Sequence, residues 1–329
     1  MKRHFLAWIV VGWLIGLMLG AARPAPATEA PRQAVKYHKV LRRQPSPGYL
    51  FDKFYNTWLT HSSAKALQSF LKEQAAQRDK PADRLLLAFF HARQGREVRA
   101  IEVLREALKA YPAEAPVLFH KAKLEARTLD FETALSDLKQ AAAANPGPDL
   151  EIDIAKLRGR LLARSGNRDD ARRIWQTLLK QHPQDEYLYK DLIELQLDEG
   201  LYQQALKTSR KLLERTKDPY KRVLRRLRMG DIHLRAGAKD KALKVYASTL
   251  EQVGGDSWLQ REICGQIEQV FRRRQEIESL ADYYSELVKQ YKQRITLHRR
   301  YASVLVELGE TDEAVKVWET ILERTPGER

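Results

Sequence analysis

Residues 130–146 read DFETALSDLKQAAAANP. Phe131, Ala134, Leu138 and Ala141 follow one another at steps of three and four, so one stripe of a helix faces inward. Pro146 ends that helix, because its ring clashes with the preceding turn and it brings no N–H to the ladder. The alanine and the proline of this stretch are not isolated. Ala100, Ala171 and Ala314 are each followed at the same distance by a proline, Pro112, Pro183 and Pro326.

A glycine stands five residues before most of these alanines: Gly95 before Ala100, Gly166 before Ala171, Gly200 before Ala205, Gly237 before Ala242 and Gly309 before Ala314. From Ala100 to Ala242 the alanines advance by 34, 37, 34 and 37 residues, and the 72 residues to Ala314 leave space for one more unit. That unit is degenerate, with Leu280 in the alanine's place, then Tyr284 and Leu287. A period of this length marks a repeat array rather than a single closed core. Each unit reads as a helical hairpin. Its first helix carries a small residue (Ala88, Ala122, Gly159, Gly230 or Ala302) seven positions before the turn, where two helix axes can approach closely. The turn glycine supplies the left-handed conformation that stops the first helix.

These residues resemble the tetratricopeptide repeat family, whose units of about 34 residues carry the same order of small residue, Gly, Ala, aromatic or Leu, Ala and Pro. The resemblance covers residues 81 to 329 and, more weakly, 48 to 80. It implies an all-α fold, a right-handed α-solenoid of seven to eight helical hairpins. Residues 47–80 are expected to form a degenerate N-terminal capping hairpin, on Ala66, Phe70, Tyr49, Phe54 and Trp58, and residues 81–329 the solenoid proper. Leu129 replaces one turn glycine, Ile193 replaces one small residue, and three-residue insertions near Gly147 and Pro219 lengthen two units. An array exposes the apolar face of its last hairpin unless something covers it. With the sequence stopping at Arg329, the expectation is a longer polypeptide, or docking of the last hairpin on another subunit.

The N-terminus has a different grammar. Lys2 and Arg3 precede an uncharged apolar run from Phe5 to Leu19, and Ala25-Pro26-Ala27 offers a cleavage site after Ala27. Residues 1–27 are expected to be a signal peptide, or residues 5–22 an uncleaved anchor; either sends the remainder out of the cytoplasm, to a periplasm, cell surface or secreted space. Residues 28–46, with Pro31 and Pro45, are expected to be an exposed linker.

The 329 residues are 43% hydrophobic and 31% charged with a net charge of +15, a composition that can bury a core and that permits acidic partners without naming one. Cys264 is the sole cysteine, which excludes an intramolecular disulfide and multi-cysteine metal sites; beside Ile263 and Ile267 it reads as a packed small residue. No HExxH, HxH, phosphate-binding glycine loop or GxSxG elbow is present. Asp169 and Asp170 open a second helix, where acids complement its dipole. The expectation is therefore no enzyme, no cofactor and no metal.

Binding is the remaining class of function. The family resemblance implies a concave face lined by the first helices and receiving a protein or peptide partner. On those helices the candidates are Phe89 and Phe119 with Arg93, Lys123 and Arg127 around them, an aromatic anchor or a pair packed between repeats. Further along come a basic face of Lys156, Arg160 and Arg164, a mainly acidic one of Lys190, Asp191, Glu194 and Asp198, and Arg228 and Arg235 flanking Asp231. These charges either pattern a groove or pair between repeats. Some family members hold a terminal carboxylate with Lys, Asn and Arg; no Asn stands on these faces, and that mode is not carried over. Arg272, Arg273, Arg274, Arg299 and Arg300 form the densest basic clusters, suited to phosphate, anionic lipid or acidic polymer. No nucleic acid is expected, since no aromatic platform accompanies them. The resulting expectation is a scaffold or adaptor of the cell envelope or secreted space. Its alternatives are polyanion or membrane-surface binding through the basic faces, and a module of a longer protein with its activity beyond residue 329.

Overall fold

The computed structural model describes residues 31–255 and 257–324. The expected signal peptide or anchor, the start of the linker and the closing Pro326–Arg329 lie outside the described residues. Among the described residues there are 17 helices and no strand, and no helix is long and apolar enough to cross a membrane. The architecture is all-α, a solenoid of helical hairpins. It divides inside one helix into two compact units, Met1–Leu161 and Leu162–Arg329.

The first unit opens with a helix where the linker was expected, α1 (Arg32–Leu41), followed by α2 (Tyr49–His61) and α3 (Ala64–Arg78). Residues 28–46 are thus not an exposed linker over their described length. Ala34, His38 and Leu41 share one stripe and are buried, and the His38 ring sits 5.0 Å from Phe70 and 5.7 Å from Phe54. The prolines that suggested a linker bracket the helix instead: Pro31 occupies its N-cap at φ −55°, and Pro45 follows its end. Arg42 then pairs with the buried carboxylate of Asp83 at 2.6 Å. The unit continues as α4 (Pro81–Arg93) and α5 (Glu97–Ala110), α6 (Ala115–Arg127) and α7 (Phe131–Ala143), and the first turns of α8 (Pro148–Arg164). One core runs from Phe51, Phe54 and Trp58 to Leu104 and Val117; a second joins Leu118 and Ala122 to Leu138 and Ile154.

In the second unit the end of α8 leads into α9 (Arg168–Gln181), and the hairpins α10 (Glu186–Asp198) with α11 (Tyr202–Arg215), α12 (Pro219–Arg235) with α13 (Lys239–Leu250), α14 (Trp258–Arg272) with α15 (Ile277–Gln290) and α16 (Ile295–Leu308) with α17 (Thr311–Arg324) follow. Their core includes Leu227, Tyr246, Ile263, Ile267, Leu280, Tyr284 and Leu305. Cys264 is fully buried, and burial pushes its thiol up to about 11, so it packs as an inert small residue.

From α4 onward each first helix stops at a left-handed residue. Where glycine is missing, Leu129 adopts φ 65° and Gln275 adopts φ 58°. The carbonyl of the last helical turn is bonded all the same: the Asp130 amide donates to Glu125 at 2.9 Å and the Glu276 amide to Phe271 at 3.1 Å. Two second helices begin with side-chain caps, α3 with Ser63 accepting from the Ala66 amide at 3.1 Å and α7 with Asp130 accepting from the Thr133 amide at 3.2 Å. The two insertions appear as length: α8 and α12 have 17 residues each, against 13 in α4, α6 and α10.

Candidate functional site

In the second unit the outward residues of α10, α12 and α14 border two adjoining cavities that share Arg228. The first, of about 480 Å³, lies between α10 and α12 with α11 as its floor. Its apolar surface comes from Ile193, Leu212, Tyr220 and Leu224. The second, of about 460 Å³, lies between α12 and α14 and is lined by Asp231, Arg235, Gln269, Arg273 and Arg274 among others.

The packing of the repeats explains why the first cavity is there. Four residues after the repeat alanine, the hairpins of this unit place a large aromatic: Trp175, Tyr246 and Tyr284, each fully buried. The α10/α11 hairpin places Ser209 at that position, and sets Ile193 where α12 has Gly230. Large and small have changed places, and isoleucine does not fill what a tyrosine or tryptophan would. The Ser209 side chain lines the cavity, is 4% exposed, and its hydroxyl has no hydrogen-bond partner. The outer wall comes from the lengthened α12, whose first turn carries Tyr220 and Lys221. That turn is tied down by Arg222, which donates to the Leu213 and Thr216 carbonyls at 3.2 and 3.0 Å, and by Arg225, which donates to the Leu212 carbonyl at 3.0 Å and to Glu186 at 2.8 Å.

The charges sort into paired and unpaired. Arg228 pairs with Glu194 on α10 and lies 3.8 Å from Asp231. Asp231 accepts the Tyr246 hydroxyl at 2.7 Å, and burial raises its carboxyl above the ordinary range. Among the described residues Arg235, Arg273 and Arg274 make no ion pair; all three are exposed, and Arg273 donates only a long bond, 3.5 Å, to Gln269. Exposed aromatics stand in the first turns of these helices, Tyr187 on α10 with Lys190 5.4 Å above its ring, and Tyr220 on α12 5.2 Å from Trp258 on α14.

The remaining expected site residues are placed as follows. Phe89 and Phe119 are not available as partner anchors: they are 5% and 6% exposed, with Phe89 edge-on to Phe51 at 5.8 Å and both rings against His120. They sit beside the close-packed Ala88 and Ala122, where neighbouring helices cover them. Around them Arg93 pairs with Asp52 at 3.3 Å and Arg127 with Glu97 at 2.6 Å, while Lys123 lies over the Phe119 ring. Lys156 is 3.7 Å from Asp153, Arg160 is half-buried, and Arg164 reaches Glu199 at 2.9 Å. Lys190, Glu194 and Asp198 are exposed on α10. The five-arginine basic cluster is divided: Arg272 pairs with Glu307 at 2.6 Å and Arg300 with Glu268 at 2.6 Å, and Arg299 is exposed on α16. What the sequence reading missed is the lining of the first cavity, namely Ser209 and Leu212 on its floor and Tyr220 and Leu224 on its wall.

Family models of the tetratricopeptide repeat match residues 81–124 and 129–195. Comparison with curated proteins returned no match. Among solved structures, the chain is similar to a tetratricopeptide repeat protein from Parabacteroides merdae, at 15% identity over 87% of this chain and 98% of that one with a TM-score of 0.44. It is similar also to YrrB, described as a TPR protein with an unusual peptide-binding site, at 15% identity over 57% and 94% of the two chains, TM-score 0.39. Yeast Tom70 matches at 13% identity over 90% of this chain and 59% of its own, TM-score 0.41. The two matched segments run from α4 into α10, so residues 81–124 and 129–195 are tetratricopeptide repeats, and the helical hairpin with its left-handed turn continues to α17.

Proposed function

We propose that this protein is a non-enzymatic protein-interaction scaffold of an exported compartment, which holds a segment of its partner along α10, α12 and α14. One observation carries the reading: a cavity with an apolar floor opens beside Arg235, Arg273 and Arg274, three exposed arginines that make no ion pair among the described residues. Elsewhere on the first helices the charges are largely consumed in pairs between neighbouring hairpins, as in Arg127 with Glu97 and Arg272 with Glu307. Export is supported by Lys2, Arg3 and the apolar run from Phe5 to Leu19.

The test is a photo-crosslinking amino acid placed at Tyr220, and separately at Lys244 on the exposed side of α13, in cells that make the full chain. A discrete crosslinked protein at position 220 and none at 244 is the expected result. Equal labelling at both positions, or labelling at neither, removes the groove from consideration.

A further inference from the structure

Resting on that reading, we infer that the face is built for an acidic segment with one bulky apolar side chain, the apolar group entering the α10–α11–α12 cavity and neighbouring carboxylates lying on Arg235, Arg273 and Arg274. The cavity is a vacated aromatic site. In the next hairpin Tyr246 fills the equivalent space against Gly230, and a ring that fills it from within is what a ring or leucyl group from outside would replace. Burying such a group against Ile193, Leu212 and Leu224 removes its apolar surface from water, the main favourable term open to an otherwise extended ligand. The Ser209 hydroxyl, buried and unpartnered at the floor, gives the ligand one hydrogen-bonding position.

Charge supplies the second half. The acids that line these two cavities are already engaged: Glu194 by Arg228 and Asp231 by the Tyr246 hydroxyl. The adjoining cavity is left with unpaired guanidinium groups, whose planar donor pairs fit carboxylates two at a time. A basic segment is repelled there, and a purely apolar one leaves the arginines without partners. A polyanion alone would satisfy the arginines but gives no reason for an apolar floor next to them, which is why an acidic protein segment is the better match.

Panning a phage library of random dodecapeptides against the full chain at physiological salt tests this, followed by fluorescence anisotropy of the best peptide. The expected consensus joins Leu, Met, Phe or Trp to two or more Asp or Glu. Ser209→Trp, which fills the cavity from inside, is expected to weaken that peptide about tenfold or more with helicity unchanged, and the double variant Arg273→Glu with Arg274→Glu to do the same through charge. Each variant covers the other should one fail to fold. Enriched peptides without acids, or binding indifferent to both variants, overturn the inference and leave peptide binding standing. No enrichment over bare beads overturns both. Binding of polyphosphate or anionic vesicles that Ser209→Trp leaves unchanged, with no peptide consensus, assigns the arginines to a polyanion instead.

Discussion

The ring of Tyr246 occupies the space that any side chain on Gly230 would need: a β-carbon built on that glycine falls well inside contact distance of the ring. Gly230 lies within α12, where alanine would ordinarily gain about 1 kcal/mol in helix propensity. Overpacking outweighs that gain, and Gly230→Ala is expected to lower stability by about 1–3 kcal/mol. Urea unfolding followed by circular dichroism reads the loss. The double variant Gly230→Ala with Tyr246→Leu should recover part of it, and failure of that rescue would show that the clash is not the cause.

Leu129 makes the opposite case. It holds a left-handed turn at φ 65° with its side chain 74% exposed, so it carries backbone strain and returns little burial. Leu129→Gly should stabilise the α6/α7 hairpin by about 1 kcal/mol, a gain set by the cost of the left-handed conformation to a residue with a β-carbon. Slower hydrogen exchange at the α6 and α7 amides is the measurement, and faster exchange would refute it.

At the start of the array, Arg42 is the ion-pair partner of an Asp83 carboxylate that is wholly inside the protein, one of whose oxygens already lacks a hydrogen bond. Removing the guanidinium leaves a buried charge uncompensated. Arg42→Met is therefore expected to cost about 3–5 kcal/mol, and Arg42→Met with Asp83→Leu considerably less. If the single variant melts within a degree or two of the parent protein, the pair is not what holds α1 in place.

Two buried groups give the ends of the first unit opposite responses to pH. Lys121 donates to both Glu125 and Asp137 at 2.5 Å, all three are buried, and one ammonium cannot balance two carboxylates. Burial pushes the Glu125 carboxyl up to about 7. Between roughly pH 4.3, where an unfolded glutamate titrates, and pH 7 the folded state holds the extra proton, so this contribution is present at the acid end and is lost as pH rises through 7. His38 is pushed down by burial to about 4, so its contribution is present above about 6.5 and is lost as pH falls through 4. His120 on α6 is pushed down by burial to about 3 and opposes Glu125 there, so the Glu125 contribution is the difference between the parent protein and Glu125→Gln. From pH 8 to pH 5 the α6 and α7 amides of the parent should gain protection from hydrogen exchange relative to Glu125→Gln, while α1 loosens in both.

Most of the fold was legible because its markers answer to backbone geometry and close packing: a left-handed turn residue, a buried alanine and a helix-ending proline recur in phase whatever stands between them. Gln275 keeps the turn without the glycine, which is why the degenerate hairpin of α14 and α15 still forms. The ten residues of α1 escaped, since one stripe of Ala34, His38 and Leu41 is a weak signal between prolines. The proposed binding face escaped for a different reason. Phe89 and Phe119 look like anchors and Tyr220 and Leu224 look like core, and only the neighbouring helices decide which are covered. A hint was present in Ser209 at the place of Trp175 and Tyr246, a missing side chain rather than a conspicuous one.

The added turn of α12 lies upstream of everything that fixes the hairpin's register. Three residues lengthen a helix by about 4.5 Å. The extension grows outward from the loop before Pro219, while the Gly230–Tyr246 contact and the Gly237 turn keep their phase. A wall can therefore be raised or lowered beside one pocket without retuning the adjacent repeats, so that the depth of this pocket is written in helix length as well as in side chains.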